Sequence, residues 1–460
     1  MIPSRQMAGN PGERNHRGLT RRVFLLILLS ALAGTLPPPS IAAEAPNYAE
    51  DTLTGDWGGT RSAMAKKGVT LDLGYKADLL RNTRGGIERG GRPMSHIDIK
   101  LTADFEKLLG WSGGTGYVNF IQDHGGKLNA QQVGSWTGVS NIEVTSNTNR
   151  LLHAWVQQEF ADGRGAVLMG LYPIDSEFAT IDSAGLFVQP PYGATADIAL
   201  TRGPSIFNTS AFGFRGKWFS ADRSAYVMGA VLDGIPGDPN HPRGTHIQFN
   251  HGDGVMSVIE IGLKPGAARA EPAAPARDAA PGVEAKDEAK EDAAEQIGKY
   301  AAGLWRYSTR VNDQLDTAAD GITPINRRSW GWYALAEKTL YQAQDGRDLA
   351  GFVRVSGTDG DSTPIKTAVN IGFRLKALLP GRSDDVFGLA YTRASLSSKW
   401  RSAQLPAATN TFEDAWEATY RIQAGKWLAI QPVIQRINHP GGDATRAAAT
   451  ILGARVEIAF

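Results

Sequence analysis

The C-terminal stretch Leu452-Gly-Ala-Arg-Val-Glu-Ile-Ala-Phe460 alternates without a break. Leu452, Ala454, Val456, Ile458 and Phe460 are apolar, with Gly453, Arg455, Glu457 and Ala459 between them. Period two means a strand with one apolar and one polar face. An apolar face that ends on an aromatic is the form of a closing strand in an outer-membrane β-barrel, oily side to lipid and polar side to a wet lumen. A strand of a soluble sandwich alternates in the same way, so the rest of the chain has to decide.

The other end carries an address. Arg21 and Arg22 precede the apolar run 23–33, and small residues follow at Ser40-Ile-Ala-Ala43. Charge, apolar core and small-residue site are the three parts of a secretory signal peptide, read here as 1–43. The run is too short for a membrane anchor and breaks at Pro37-Pro-Pro39. Twin-arginine export is an alternative from Thr20-Arg-Arg-Val-Phe-Leu25. General secretion suits a barrel better, because a barrel stays unfolded until it inserts. Met7 is a second candidate start.

Cys is absent, so an exported chain uses no disulfides and draws its stability from a closed hydrogen-bond network. A formal charge of +1 argues against a nucleic-acid partner.

The alternation recurs. Ile97, Ile99, Leu101, Ala103 and Phe105 oppose Asp98, Lys100, Thr102 and Asp104. Val369, Ile371, Phe373 and Leu375 oppose Asn370, Gly372, Arg374 and Lys376. Phe212, Phe214 and Trp218 oppose Gly213, Arg215 and Lys217, and Trp416, Ala418, Tyr420 and Ile422 oppose Glu417, Thr419 and Arg421. Mid-strand charge is costly in a soluble core and ordinary on a wet lumen wall. Connections are sorted too. Short polar turns at 162–165, 221–223, 345–348 and 381–384 separate long stretches at 125–149, 179–209, 234–252 and 309–328. Strand starts are expected near 69, 96, 116, 150, 166, 210, 225, 254, 299, 330, 350, 367, 386, 414, 427 and 449. The fold expected is all-β, a transmembrane antiparallel barrel of about sixteen strands over 69–460. Trp111, Tyr117, Trp218, Tyr307, Trp330 and Trp427 are read as interfacial girdle residues. Residues 265–296 are Ala, Pro and mixed charge, which predicts a disordered insertion on the short-turn side.

At Leu53-Thr-Gly-Asp-Trp-Gly-Gly-Thr-Arg61 the chain resembles the carbohydrate-selective porin family of the OprB type. Leu152-His-Ala-Trp-Val-Gln-Gln-Glu-Phe160, Phe187-Val-Gln-Pro-Pro-Tyr-Gly193 and the segment 430–442 resemble it too; Gln431, Pro432, Gln435, Pro440, Gly441 and Gly442 match, and Val433 departs where an acid is expected. The resemblance covers about 50–460. It implies a sixteen-stranded outer-membrane barrel passing monosaccharides by diffusion, and a periplasmic segment, 44–68, with a short helix near 60–67.

A sugar is held by bidentate hydrogen bonds from Arg and carboxylates, with an aromatic face on its ring. A lumen of one sign selects ions instead. The expected lumen faces carry Asp98, Lys100, Arg215, Lys217, Glu260, Arg306, Arg354, Arg374, Glu417 and Arg421, both signs with cations in excess. The stretch 179–209, with Asp175 and Glu177 before it and Tyr192 within it, is expected to fold inward. A general or anion-preferring porin and a soluble carbohydrate-binding β protein remain as other readings. Asp182, Ser183 and His153 form the one hydrolase-like set, and chance triples of this kind are common. No enzyme, metal or cofactor is expected. Expected partners are glucose-like sugars, outer-membrane lipid, lipopolysaccharide and the barrel assembly machinery, with a monomer or trimer as the assembly.

Overall fold

The computed structural model describes residues 47–265, 298–404 and 409–460. The expected leader at 1–43 and residues 266–296 of the expected insertion lie outside them. The chain forms one closed antiparallel barrel of sixteen strands, each paired with its sequence neighbours and β1 paired with β16. The first half is β1 Val69–Arg84, β2 Gly90–Asp104, β3 Gly114–Gly125, β4 Thr148–Phe160, β5 Gly165–Tyr172, β6 Ala211–Phe219, β7 Ala225–Asp233 and β8 Val255–Leu263. The second is β9 Gly298–Thr317, β10 Pro324–Gln342, β11 Asp348–Thr358, β12 Ile365–Lys376, β13 Val386–Leu396, β14 Phe412–Gly425, β15 Leu428–Asn438 and β16 Ala449–Ala459. Closure leaves no sheet edge, so strand N–H and C=O groups find partners without water.

The outer wall is apolar. Leu79, Ile99, Val118, Phe214, Ile259, Leu304, Ile371, Trp416 and Leu452 all project outward and exposed. Trp111, Trp218 and Trp330 are exposed as a girdle requires. Tyr117 and Tyr307 are not; both face inward and are buried. They alternate in phase with Asn119 and Trp305 on the lumen side, where a loop covers them. The stretch 309–328 also differs from expectation. It is a hairpin in which β9 runs to Thr317 and β10 begins at Pro324. Outside the membrane both faces of a hairpin meet water, so the apolar alternation that betrays a strand is lost there.

Inside, glycines make room for rings. A Cβ on Gly262 would lie 2.3 Å from the Tyr226 ring, one on Gly303 2.2 Å from Tyr333, and one on Gly331 2.3 Å from Trp305. These rings therefore lie flat across neighbouring strands instead of standing into the lumen.

The segment before β1 locks the seam. Its helix Thr60–Lys66 presents Arg61, which is 2% exposed. The guanidinium sits 4.0 Å from the Tyr48 ring centroid and 5.1 Å from that of Trp57. It donates to Phe460 O and Leu71 O, each at 2.8 Å, and so ties β1 to the end of β16. Leu53 N donates to Ala459 O at 2.8 Å beside it. Charged hydrogen bonds plus stacking are worth roughly 2–4 kcal/mol together. Arg61→Ala is expected to lower the temperature at which the folded band is lost on a denaturing gel. An unchanged transition would show that the clamp does not hold the seam.

Candidate functional site

The site is the lumen, and it is built by an inward loop. Residues 173–210, between β5 and β6, leave the wall and cross the barrel instead of standing outside it. A loop placed there must satisfy its backbone without bulk water. Wall side chains do this one after another. Glu260 on β8 accepts from Ala179 N at 2.8 Å and from the hydroxyls of Tyr226 and Tyr333 at 2.6 and 2.7 Å. Lys299 on β9 donates to Thr180 O at 2.7 Å. Glu337 on β10 accepts from Asp182 N, Ser183 N and Ser183 Oγ at 3.1, 3.0 and 2.9 Å. Arg354 on β11, 1% exposed, donates to Ala179 O at 2.7 Å, Gly193 O at 2.8 Å and Pro191 O. Glu417 on β14 accepts from Val188 N and Gln189 N at 2.6 and 2.9 Å, and Gln431 on β15 donates to Leu186 O at 2.7 Å. The loop thus spans from β8 to β15.

A second loop, 126–147, meets it. Glu413 accepts from Trp136 N and Thr137 N at 2.9 and 2.8 Å, and Gln435 donates to Val139 O at 2.8 Å. Asn141 N donates to Val188 O at 2.8 Å, joining the two loops. The motif residues Gln431 and Gln435 are therefore loop anchors. Pro440-Gly-Gly442 serves the same end, since Gly441 N donates to Glu413 and Trp136 Nε1 donates to Gly441 O.

The expected site residues divide accordingly. Glu177, Arg215 and Lys217 come together: Arg215 Nε and Lys217 Nζ both donate to the Glu177 carboxylate, at 2.7 and 3.4 Å. Arg215 also donates to Gln157 at 2.7 Å. Asp98 and Lys100 share the inner face of β2. Asp98 accepts from Asn119 at 3.0 Å and lies 2.9 Å from His96 Nε2. His153 on β4 is within electrostatic reach of Lys100, Asp98 and Glu177, which links these two groups. Arg374 stands apart on β12, 3.9 Å from Asp348. Glu260 is spent on the loop. Tyr192 is 3% exposed and packs on Phe187 and Phe352, ring centroids 4.8 and 6.3 Å away. Asp175 lies at the loop's neck and accepts from Phe207 N at 3.1 Å.

Arg306 is a correction. It points outward, in phase with Leu304, while Trp305 and Tyr307 face the lumen. Polarity misleads on β9 because the loop gives its inner face an apolar surface to pack against. Ser183 and His153 form no hydrolase pair: Ser183 Oγ donates to Glu337, and the His153 ring packs edge-on against Tyr117. Among the described residues no three His, Asp or Glu side chains gather as metal ligands. Sequence reasoning missed Glu337, Glu413 and Lys299 as anchors; each falls on the inner phase of its strand, which was the available signal.

Both signs remain open to solute on the inner side: Glu159 and Asp182 are partly or fully exposed, and so are several cations. Lys100, Lys217, Arg374 and Arg421 stay partly exposed. Glu457 lies beside two cations, 3.1 Å from Arg421 and 3.9 Å from Lys76.

A closed sixteen-stranded barrel with an oily exterior, a polar lumen and an inward loop defines an outer-membrane porin. The profile of the family described as "Carbohydrate-selective porin, OprB family" matches residues 88–460, and the chain belongs to that family. Porin B of Pseudomonas aeruginosa is 23% identical, over 96% of this chain and 98% of its own. Putative porin QuiX of Acinetobacter baylyi is 20% identical, over 85% and 89%. The high-pH structure of OprB from Pseudomonas putida, 17% identical, superposes with a TM-score of 0.76 and covers 91% of this chain and 100% of that one.

Two predictions test the anchoring. Removing Glu337 leaves two backbone N–H groups and a hydroxyl unpaired, a loss of about 2–5 kcal/mol in loop docking. Glu337→Ala is expected to give a noisier, more frequently closing single-channel current and new proteolytic cuts within 179–193. Wild-type traces and resistance to protease would sink the anchoring role.

Asp175 supplies a pH test. Burial pushes its carboxyl up to about 6, against the opposing Phe207 N–H. A raised value in the docked loop means docking gains fully at pH below the ordinary 3.8 and loses that gain as pH rises through 6. Burial also acts to raise Glu177, but Lys217 and Arg215 outweigh it and hold the group at about 2, so it stays ionised across this window. Current noise is expected to rise between pH 4 and 7 in wild type and to stay flat in Asp175→Asn. Parallel profiles would place the titration elsewhere.

Proposed function

We propose that the protein passes monosaccharides and similar neutral or weakly acidic solutes down their gradient, and that Lys100, Lys217, Arg374 and Arg421 are the groups a passing sugar meets. The observation that carries this is the pairing of partly exposed cations with largely buried carboxylates, Arg421 with Glu457 and Lys217 with Glu177. Such pairs offer donors and acceptors to a hydroxylated solute and keep the field lower than a bare basic ring would. In this reading Arg215, Glu260 and Tyr192 act on sugar only by holding the loop. Export through the 1–43 leader, assembly through machinery that reads the Phe460 strand, and a monomeric or trimeric state complete the proposal.

The second reading is a general, anion-preferring porin, favoured by the four partly exposed cations Lys100, Lys217, Arg374 and Arg421 on the inner wall. A planar-bilayer titration separates the two. In Lys100→Gln, Lys217→Gln, Arg421→Gln combined, glucose should block ion current roughly fivefold more weakly, about 1 kcal/mol in a wet site. Anion preference should fall with it. Reduced anion preference with unaltered sugar block would instead favour the general porin.

A further inference from the structure

The outer face of β9 and β10 carries three arginines that the lumen does not use, Arg306 at the rim of the wall and Arg310 and Arg328 on the hairpin just above it. Arg306 and Arg310 on β9 and Arg328 on β10 all face outward and exposed. Arg328 is directly paired with Arg310 across the ladder, and Arg306 with Trp330. Like charges opposite one another on a sheet are destabilising unless something neutralises them. Nothing in the described residues does. The acids of the same hairpin are taken: Lys399 holds Asp313 and Asp316 at 2.7 Å each, and Arg327 lies 3.0 Å from Asp313. The trio sits toward the long-loop end of the wall, since Arg306 pairs with Ser257 one step from the last β8–β9 pair, Met256 with Tyr307. Trp330 and Trp332 lie exposed beside it.

Below Arg306 the wall is hollowed. A depression of about 600 Å³ is bordered by Phe214, Val231, Ile259, Leu304 and Arg306. Its floor is Gly216 paired with Gly229. The barrel does not need these glycines for its own packing. A Cβ on Gly216 would meet nothing within 4 Å, and one on Gly229 would meet only Val258 O at 3.5 Å. The inward Gly262, Gly303 and Gly331 contrast with them, because a Cβ there would strike a ring.

We propose that this face binds a phosphorylated, acylated glycolipid of the outer leaflet, with its phosphates on Arg306, Arg310 and Arg328 and one acyl chain in the Gly216–Gly229 hollow. The inference rests on the barrel's place in the outer membrane and not on its solute selectivity. Charge decides the occupant: three unpartnered guanidiniums above an apolar hollow match an anionic head on an oily tail. A second copy meeting this face about a two-fold axis would set the same three cations against one another.

The test is native mass spectrometry of the full mature protein in detergent, titrated with bisphosphorylated lipid A and with its dephosphorylated form. Wild type should prefer the phosphorylated lipid by about tenfold, and the R306Q/R310Q/R328Q variant should lose that preference. Gly229→Leu, which fills the hollow, should weaken both lipids by about threefold, as a lost apolar contact would. Both variants should keep heat-modifiable mobility and wild-type conductance, since losing outward charge does not harm a lipid-facing wall. Equal binding of the two lipids by wild type, or unchanged preference in the triple variant, overturns the proposal. So does efficient disulfide cross-linking of two Ser257→Cys copies that added lipid A does not reduce, which would assign the face to a subunit contact.

Discussion

A loop inside a membrane barrel brings its peptide groups where water is scarce, and each N–H and C=O left without a partner costs free energy. That constraint organises the lumen of this protein. The stretch 173–210 lacks a regular ladder of its own, so the wall must supply its hydrogen bonds. Carboxylates on β8, β10 and β14 take the N–H groups of Ala179, Ser183 and Val188. Arg354 and Gln431 take carbonyls. Acid and base along the inner wall thus follow the direction of the loop's peptides as much as the demands of a solute.

The same constraint explains the aromatic residues. Tyr226, Tyr333 and Trp305 lie flat because glycines on adjacent strands allow it, and the loop then packs Ile174, Phe178 and Phe187 on top of them. A hydrophobic core forms inside a barrel whose lumen is otherwise wet. Polar anchors fix the loop's register, and the apolar layer beneath gives it weight. A sugar ring meets few of these aromatic faces, because the loop covers them.

The sequence made the barrel legible because a lipid-facing strand writes its alternation in apolar residues. Fourteen of the sixteen expected starts fall within two residues of the observed ones; β2 and β10 begin earlier, at Gly90 and Pro324. Both exceptions are extensions where the outer face no longer meets lipid and the alternation fades. The site was less legible. Inner-phase charge identifies a lumen residue, and Asp98, Lys100, Arg215 and Lys217 do face inward. Phase alone does not say whether the residue meets solute or a peptide group of the loop; Glu260 and Arg354 look like Lys217 in the sequence. Arg306 failed for the converse reason. Its neighbours Trp305 and Tyr307 are inward and apolar, and an apolar inner face inverts the rule that polarity marks the lumen.

Anchoring and selection therefore compete for the same inner positions, and the two kinds of residue are interleaved around the wall: Asp78 on β1 and Asp123 on β3 also hold loop side chains, of Ser140 and Asn208. The loop's anchors run from β8 through β11 to β14 and β15. Between the anchors, Lys100 on β2, Lys217 on β6, Arg374 on β12 and Arg421 on β14 stay partly exposed, and Glu177 at the loop's root is held by Arg215 and Lys217. A charge that holds a backbone group cannot be exchanged without moving the loop, whereas one that meets water can be. Solute preference is accordingly the freer property at Lys100, Lys217, Arg374 and Arg421, and the shape of the passage is the more constrained property at the anchors that lie between them.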